Sequence, residues 1–200
     1  ALFGKKSTNI SIEHENNLLS TAVSFQEMMP NTADVFATRP GYRKEEHRWG
    51  QGGAAILDYL VVNEGVVYPA KKEGNSIVDF YIKVRFDVDY KSIIPGFLIK
   101  TIEGIFLYGT NSFLSNIRNP IITVKAGDFH IFRFSMPLIV NEGSYLISFG
   151  VSSGDPTMDL VPLDRRYDTL IIHVGRGVPF LGIVDMEAKF DCIKNKEGEI

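Results

Sequence analysis

Tryptophan and cysteine each occur once in this chain and histidine four times, and each scarcity removes a class of function. Cys192 alone cannot form an internal disulfide, a usage that fits a reducing compartment. His14, His47, His130 and His173 are scattered without the spacing that metal ligands need. No apolar run approaches the roughly 20 residues that span a bilayer, and no signal-peptide pattern opens the chain. A charge excess is missing too: 21 Lys and Arg against 24 Asp and Glu leave a formal charge of -3, so no basic field calls for nucleic acid or an anionic membrane. Two catalytic signatures are absent, the G-x-x-x-x-G-K-[ST] loop of nucleotide-binding proteins and the G-x-S-x-G nucleophile elbow. The glycine-rich stretch HRWGQGGAAI, with Gly50, Gly52 and Gly53 around Trp49, leads into a strand-like run rather than a helix whose N-terminus would face a phosphate.

What is present is an aromatic-rich apolar fraction. Two hundred residues, 44% of them apolar and including 14 Phe and 8 Tyr, suffice for one sizeable core plus an arm but hardly for two full domains. From Ala54 onward, runs of β-branched and aromatic residues alternate with Gly, Asn, Asp and Pro clusters. The clearest is SIVDFYIKVRFDVDY, which sets Phe80, Ile82, Val84, Phe86 and Val88 on one face and Asp79, Tyr81, Lys83, Arg85 and Asp87 on the other, the mark of a strand with one wet face. Further strands are predicted at AAILDYLVV, GFLIKTIEGIFLYG (a hairpin turning at Glu103-Gly104), FHIFRFSMP, SYLISFGVSS, DTLIIHVG and FLGIVDMEAKFDC. The fold class is therefore all-β: an antiparallel β-sandwich of immunoglobulin-like or jelly-roll topology, with doubly wound α/β excluded. Residues 1–46 are polar and irregular and read as a linker or arm, with Leu18, Leu19, Ala22, Val23, Phe25 and Met29 forming one side of a short helix before Pro30. Residues 47–200 form the sandwich.

The ordered series RWGQGGAAI, FYIKVRFDV, IIPGFLIKTIEGIFLYGTNS and KAGDFHIFRFSMPLIVNEGSYLISFGVS, from about Arg48 to Phe190, resembles one family. It is similar to the C-terminal carbohydrate-binding domain of Wzt, the ATP-binding subunit of ABC transporters that export O-antigen polysaccharides in lipopolysaccharide biosynthesis. The resemblance implies a non-catalytic module that binds O-antigen, at its terminal region, and so selects what the exporter carries. It also implies a tether, residues 1–46, to an ATPase domain not in this chain. Cofactors, ATP and Mg, belong to that domain and none to this one. The implied partners are the polysaccharide, the exporter's transmembrane subunit and a second copy of the chain, paired by exchange of C-terminal strands. The implied location is cytoplasmic, peripheral at the inner membrane. FLGIVDMEAKFDCI, preceded by Gly175, Gly177 and Pro179 as a hinge, either exchanges in this way or folds back onto its own sandwich.

Sugar sites combine an aromatic face against pyranose C–H groups with planar polar groups that satisfy hydroxyls. Tyr81, flanked by Asp79, Lys83 and Arg85, offers that mixture, and pairing with FHIFRFSMP would add Arg133 and Ile131 to the same face. Arg85 and Arg133 would favour a glycan with an acidic or phosphorylated end. The same pattern also describes a solvated face with cross-strand ion pairs. Trp49 is expected as a core plug where the arm enters, the alternative being a stacking platform beside Tyr42 and Tyr59. Asn111 is expected to close a turn and Tyr145 to pack inward. Asp87 and Asp89, and Asp155, Asp159 and Asp164, supply carboxylates for glycoside hydrolysis or calcium, but in turns such groups usually cap backbone N–H groups. Besides a binding module, a dimerisation module without glycan contact and a glycoside hydrolase thus remain in view.

Overall fold

The structure, a computed structural model, describes residues 26, 28, 30–115, 121–155 and 157–192. Ten strands form among them: β1 (His47–Trp49), β2 (Ala54–Asn63), β3 (Val66–Val67), β4 (Lys72–Glu73), β5 (Ile77–Phe86), β6 (Ile93–Thr101), β7 (Phe106–Asn111), β8 (Phe129–Pro137), β9 (Gly143–Gly154) and β10 (Leu160–Gly175). Two sheets result, one in the order β1-β10-β9-β6-β7 with β4 also on β10, the other in the order β3-β2-β5-β8. All pairings are antiparallel except the two-residue parallel contact of β4 with β10. The expected all-β antiparallel sandwich is what the chain adopts.

Alternation places the core. Phe80, Ile82, Val84 and Phe86 of β5 are fully buried, as are Ile93 of β6 and Ile147 and Val151 of β9. An aromatic seam ties the sheets together: Phe80 lies 4.9 Å from Phe97, and Phe97 lies 5.6 Å from Phe134 and 5.9 Å from Phe149. Edge-on and offset contacts of this kind add to the burial of each ring. The predicted hairpin is present, with Gly104 at φ 93° and its N–H donating to Thr101 O at 3.0 Å. Tyr145 packs inward, as expected, and its hydroxyl donates to Asn141 O.

Three expectations are corrected. Val88 is half exposed rather than part of the core face, because β5 ends at Phe86 and the chain turns at Asp87. The strand expected at DTLIIHVG is twice as long and begins at Leu160. Register shifts between Pro162 and Asp164 and between Arg166 and Leu170 break its period, so alternation does not reveal it. The final strand expected at FLGIVDMEAKFDC does not form. Only Val184 bridges Val140, with Asp185 N donating to Ile139 O and Asn141 N to Ile183 O. A strand needs a neighbour's ladder of hydrogen bonds as well as an alternating sequence, and this segment pairs with no further strand among the described residues.

The described part of the arm packs on the sandwich. Phe36 is fully buried, 4.4 Å from Tyr59, and the Arg166 guanidinium lies 4.0 Å from its ring centre. Arg166 also pairs with Glu46 and Asp34 at 2.9 Å each, and Arg39 forks onto buried Asp58 with two bonds of 2.7 Å. Gln26 and Met28 are helical; Leu18, Leu19, Ala22, Val23, Phe25 and Met29, the residues named for the short helix, all lie outside the described residues. No helix among the described residues is long and apolar enough to cross a membrane.

Candidate functional site

The face predicted to hold sugar is on the outer side of the β3-β2-β5-β8 sheet. The register places Tyr81 opposite Arg133, Lys83 opposite Ile131 and Asp79 opposite Ser135, so the six predicted residues do share one face. Their partners are internal. Arg133 forks onto Asp79 with two bonds of 3.0 Å, which raises the Arg133 pKa, and its guanidinium lies 5.9 Å from the Tyr81 ring centre. Arg85 pairs with Asp87 at 2.8 Å. The expectation of a wet Lys83 is corrected: only 1% of it is exposed, and its ammonium donates to the carbonyls of Met28 and Asn31. Burial holds its pKa down, against the charge of Asp58. The arm covers this part of the face, where Met28 packs with Leu60 and Val62 of β2 and with Tyr81 and Ile131. Parity shows which residues point away from the core; it does not show what else in the chain lies over them.

A different site opens on the outer face of the other sheet. In β9, Ile147, Phe149 and Val151 face the core, so Ser148, Gly150 and Ser152 face out. With Gly96 and Leu98 of β6 and Asn111 of β7 they line a groove of about 110 Å³. Arg165 and Tyr167 of β10 form its wall. Small residues permit this shape. A Cβ on Gly150 would lie 2.6 Å from Arg165 Cδ and 2.5 Å from its Nη1, so glycine lets the arginine lie flat on the sheet. Arg165 Nη2 donates to Ser152 Oγ at 2.7 Å, while its buried Nε has no partner. An unsatisfied buried donor is costly, about 1–3 kcal/mol, unless a ligand supplies the acceptor.

The aromatic wall continues to the rim. Trp49 stacks on Tyr167 with ring centres 6.2 Å apart and planes 15° from parallel, and it is 42% exposed. The expected core plug is therefore wrong for Trp49, and its neighbour is Tyr167 rather than Tyr42 or Tyr59, which pack against Phe36. The two-sided ladder of β1 on β10 explains why: Arg48 turns inward to Asp164 and Asp34, which leaves Trp49 on the outer side. Asn111 closes a turn as expected, its Oδ1 accepting from Leu114 N at 2.9 Å, and it also lines the groove. Below the groove Lys100 pairs with Asp168 at 2.7 Å, and Ser148 Oγ accepts from Asp168 N at 2.8 Å. Asp168 is held at φ 55°, an uncommon conformation for a residue other than glycine, within the β10 irregularity that presents Arg165 and Tyr167.

Of the carboxylates weighed for catalysis, Asp87, Asp89, Asp155 and Asp164 are engaged elsewhere, Asp87 by Arg85. Asp164 takes Arg48 and the N–H of Ile56, Asp89 takes Lys125 and the N–H of Ala126, and Asp155 takes the N–H and hydroxyl of Thr157. No group of three or more His, Cys, Asp or Glu is placed to hold a metal among the described residues. The chemistry on offer in the groove is recognition of a polar, ring-shaped ligand: stacked aromatic faces, small hydroxyl side chains and one guanidinium.

Fold and groove thus define a β-sandwich with a recessed outer face. The profile of the Wzt C-terminal domain family matches residues 45–186, and a crystal structure of the C-terminal domain of Wzt is 49% identical, covering 82% of this chain and 98% of its own at a TM-score of 0.80. The chain belongs to the Wzt C-terminal domain family. Two further solved structures are far more distant. A CARDB domain from Pyrococcus furiosus is 12% identical over 62% of this chain and 94% of its own, at a TM-score of 0.33. A Bacteroides uniformis beta-glucuronidase is 14% identical over 57% of this chain and 13% of its own, at a TM-score of 0.37, and likeness at that level carries no argument. No curated protein matches the chain.

Proposed function

We propose that this domain binds the terminal region of an O-antigen polysaccharide and thereby selects the substrate of an ABC exporter, with no catalytic step of its own. The observation that carries this reading is the groove under Trp49 and Tyr167, where the Arg165 Nε lies buried without an acceptor above a floor of Ser148, Gly150 and Ser152. A sugar ring stacked on the aromatic wall would give that donor a hydroxyl or an acidic substituent. ATP and Mg would act in a separate ATPase domain, and the place of work would be the cytoplasmic side of the inner membrane, beside the transmembrane subunit. Titration calorimetry with a panel of purified O-antigen polysaccharides, intact and trimmed at the non-reducing end, tests it. Binding that is lost on trimming and in Tyr167→Ala supports the groove. Loss in Tyr81→Ala or Arg133→Ala instead moves the site to the sheet of β5 and β8. No heat with any glycan from a folded protein leaves dimerisation as the function.

A second copy of the chain is the other partner. The outer edge of β8 pairs with no strand among the described residues, and the Val140–Val184 bridge starts an antiparallel register that points along it. Continued, that register sets Met186 against Leu138, Ala188 against Met136 and Phe190 against Phe134, residues of the core-facing parity of β8. It sets Asp191 opposite Arg133 on the outer side. Met186 and Phe190, 84% and 90% exposed in the single chain, would be buried by such pairing. Exchange of this tail between two copies is the arrangement we favour: the glycines before it act as hinge, and the same register is made against the partner's β8 in place of the bridge to its own Val140.

A further inference from the structure

The groove leaves a second recess unexplained. It lies between the Tyr68–Lys72 segment, residues 170–173 of β10, Val61 of β2 and the arm at Pro40 and Gly41, and encloses about 230 Å³. It shares no lining residue with the Arg165 groove, so a ligand bound there is independent of the glycan reading. Its walls are apolar, with Val61, Leu170 and Ile172 all at most 3% exposed. Lys72 adds a buried ammonium to them. This lysine is 7% exposed, and its ammonium donates to Pro69 O at 2.6 Å.

The surroundings of Lys72 differ from those of the other buried cations. Arg166 has Glu46 and Asp34, and Lys83 has two backbone carbonyls. No carboxylate among the described residues pairs with Lys72, and burial alone acts on it, holding its pKa down to about 8. An ammonium that remains charged at neutral pH, with one of its three N–H groups bonded, then borders an apolar cleft. A carboxylate is the group that would answer both the charge and the spare donors.

We propose that this cleft is a binding site for a small apolar carboxylate, its anion paired with Lys72 and its hydrocarbon body against Val61, Leu170 and Ile172. The size agrees, since an apolar cavity of about 150 Å³ accepts benzene. The cleft, at about 230 Å³, has room for a ring that also carries a carboxylate. The other titratable groups at the cleft are Tyr68 and His173. The Tyr68 hydroxyl donates to Tyr59 O, and burial pushes its pKa far up, so it stays neutral and offers no charge. His173 is exposed, with Nδ1 2.8 Å from Ser144 Oγ.

Benzoate is the probe, with benzyl alcohol as the uncharged ring and inorganic phosphate as the anion without an apolar body. Binding is read from backbone amide shifts by NMR. Benzoate is expected to move the signals of residues 68–72 and 170–173, and the other two probes to bind at least tenfold more weakly. Lys72→Met, which keeps the chain length of the side chain and drops the charge, should weaken benzoate tenfold or more. Lys125→Met, at an exposed lysine that does not line the cleft, should leave it unchanged. In the unaltered protein, saturating benzoate should raise the titration midpoint of the Lys72 ε-methylene signal, because the ligand favours the charged form. That measurement does not depend on any variant folding. An unmoved midpoint, shifts that map elsewhere, or equal affinity in folded Lys72→Met would each overturn the proposal.

Discussion

Arg165 lies flat across Gly150, so close that a single methyl group on the glycine would sit 2.6 Å from Arg165 Cδ. The two residues are opposite one another in the β9–β10 ladder, and the absence of a side chain on one sets the position of the guanidinium on the other. Gly150→Ala should therefore lift Arg165 out of the groove. The expected result is a loss of glycan affinity of about tenfold or more, about 1.4 kcal/mol, with a smaller change in melting temperature. Calorimetric titration beside a thermal melt measures both. Unchanged affinity would show that the guanidinium position does not matter to the ligand.

Phe36 anchors the arm between Tyr59 and the Arg166 guanidinium. Truncation to alanine removes a fully buried ring and leaves Arg166 without its apolar cover, so Phe36→Ala should destabilise the domain by about 3–5 kcal/mol. Denaturant unfolding gives the value. A cost below about 1 kcal/mol, that of an ordinary surface change, would mean that the arm is not part of the folded unit.

Lys72 gives the stability a pH dependence with a definite sign. Its pKa is about 8 in the folded chain against the ordinary 10.5, so between those values the unfolded chain holds a proton that the folded chain has released. This group therefore makes stability rise with pH from about 8 to 10.5, and below 8 it imposes its full penalty, on the order of 3 kcal/mol. Lys72→Met should be more stable than the parent at pH 7, with the difference shrinking above pH 8. Urea melts across that range, parent against variant, would show it.

The tail makes a prediction about assembly. Removal of the residues after Asp185 takes away Met186 and Phe190 and the whole continued register along β8. The shortened chain should sediment as a monomer at concentrations where the longer one is dimeric, with the sandwich still folded. A dimer that survives the cut would assign the contact to another surface.

Much of this was legible in the sequence, for a physical reason particular to β5 and β8. A strand with one buried face writes its orientation into every second residue, and Phe80, Ile82, Val84 and Phe86 do so without a break. The pairing of Tyr81 with Arg133 then comes from two such strands side by side. Trp49, Arg165 and Tyr167 were not legible in that way. Arg165 and Arg166 are adjacent and chemically alike, yet one lines the groove and the other holds Glu46 and Asp34 of the arm. Which arginine does which depends on the irregularities in β10, and those leave no period to read. A signal for the covered face was present in AAILDYLVV, whose apolar residues barely alternate: Leu60 and Val62 are buried on the outer side by Met28 as Tyr59 and Val61 are on the inner.

The amino-acid sequence by itself determined the long strands β2, β5, β6, β8 and β9, the sandwich class and the family, because these rest on local periodicity and on ordered short motifs. Only the tertiary structure decided that Lys83 is covered, that Trp49 is exposed on Tyr167, and that Arg165 carries an unpaired donor over Gly150. Each of those depends on a segment distant in the chain lying across a strand, or on the one extra residue of a bulge turning a side chain over. Neither is a property of the neighbouring sequence.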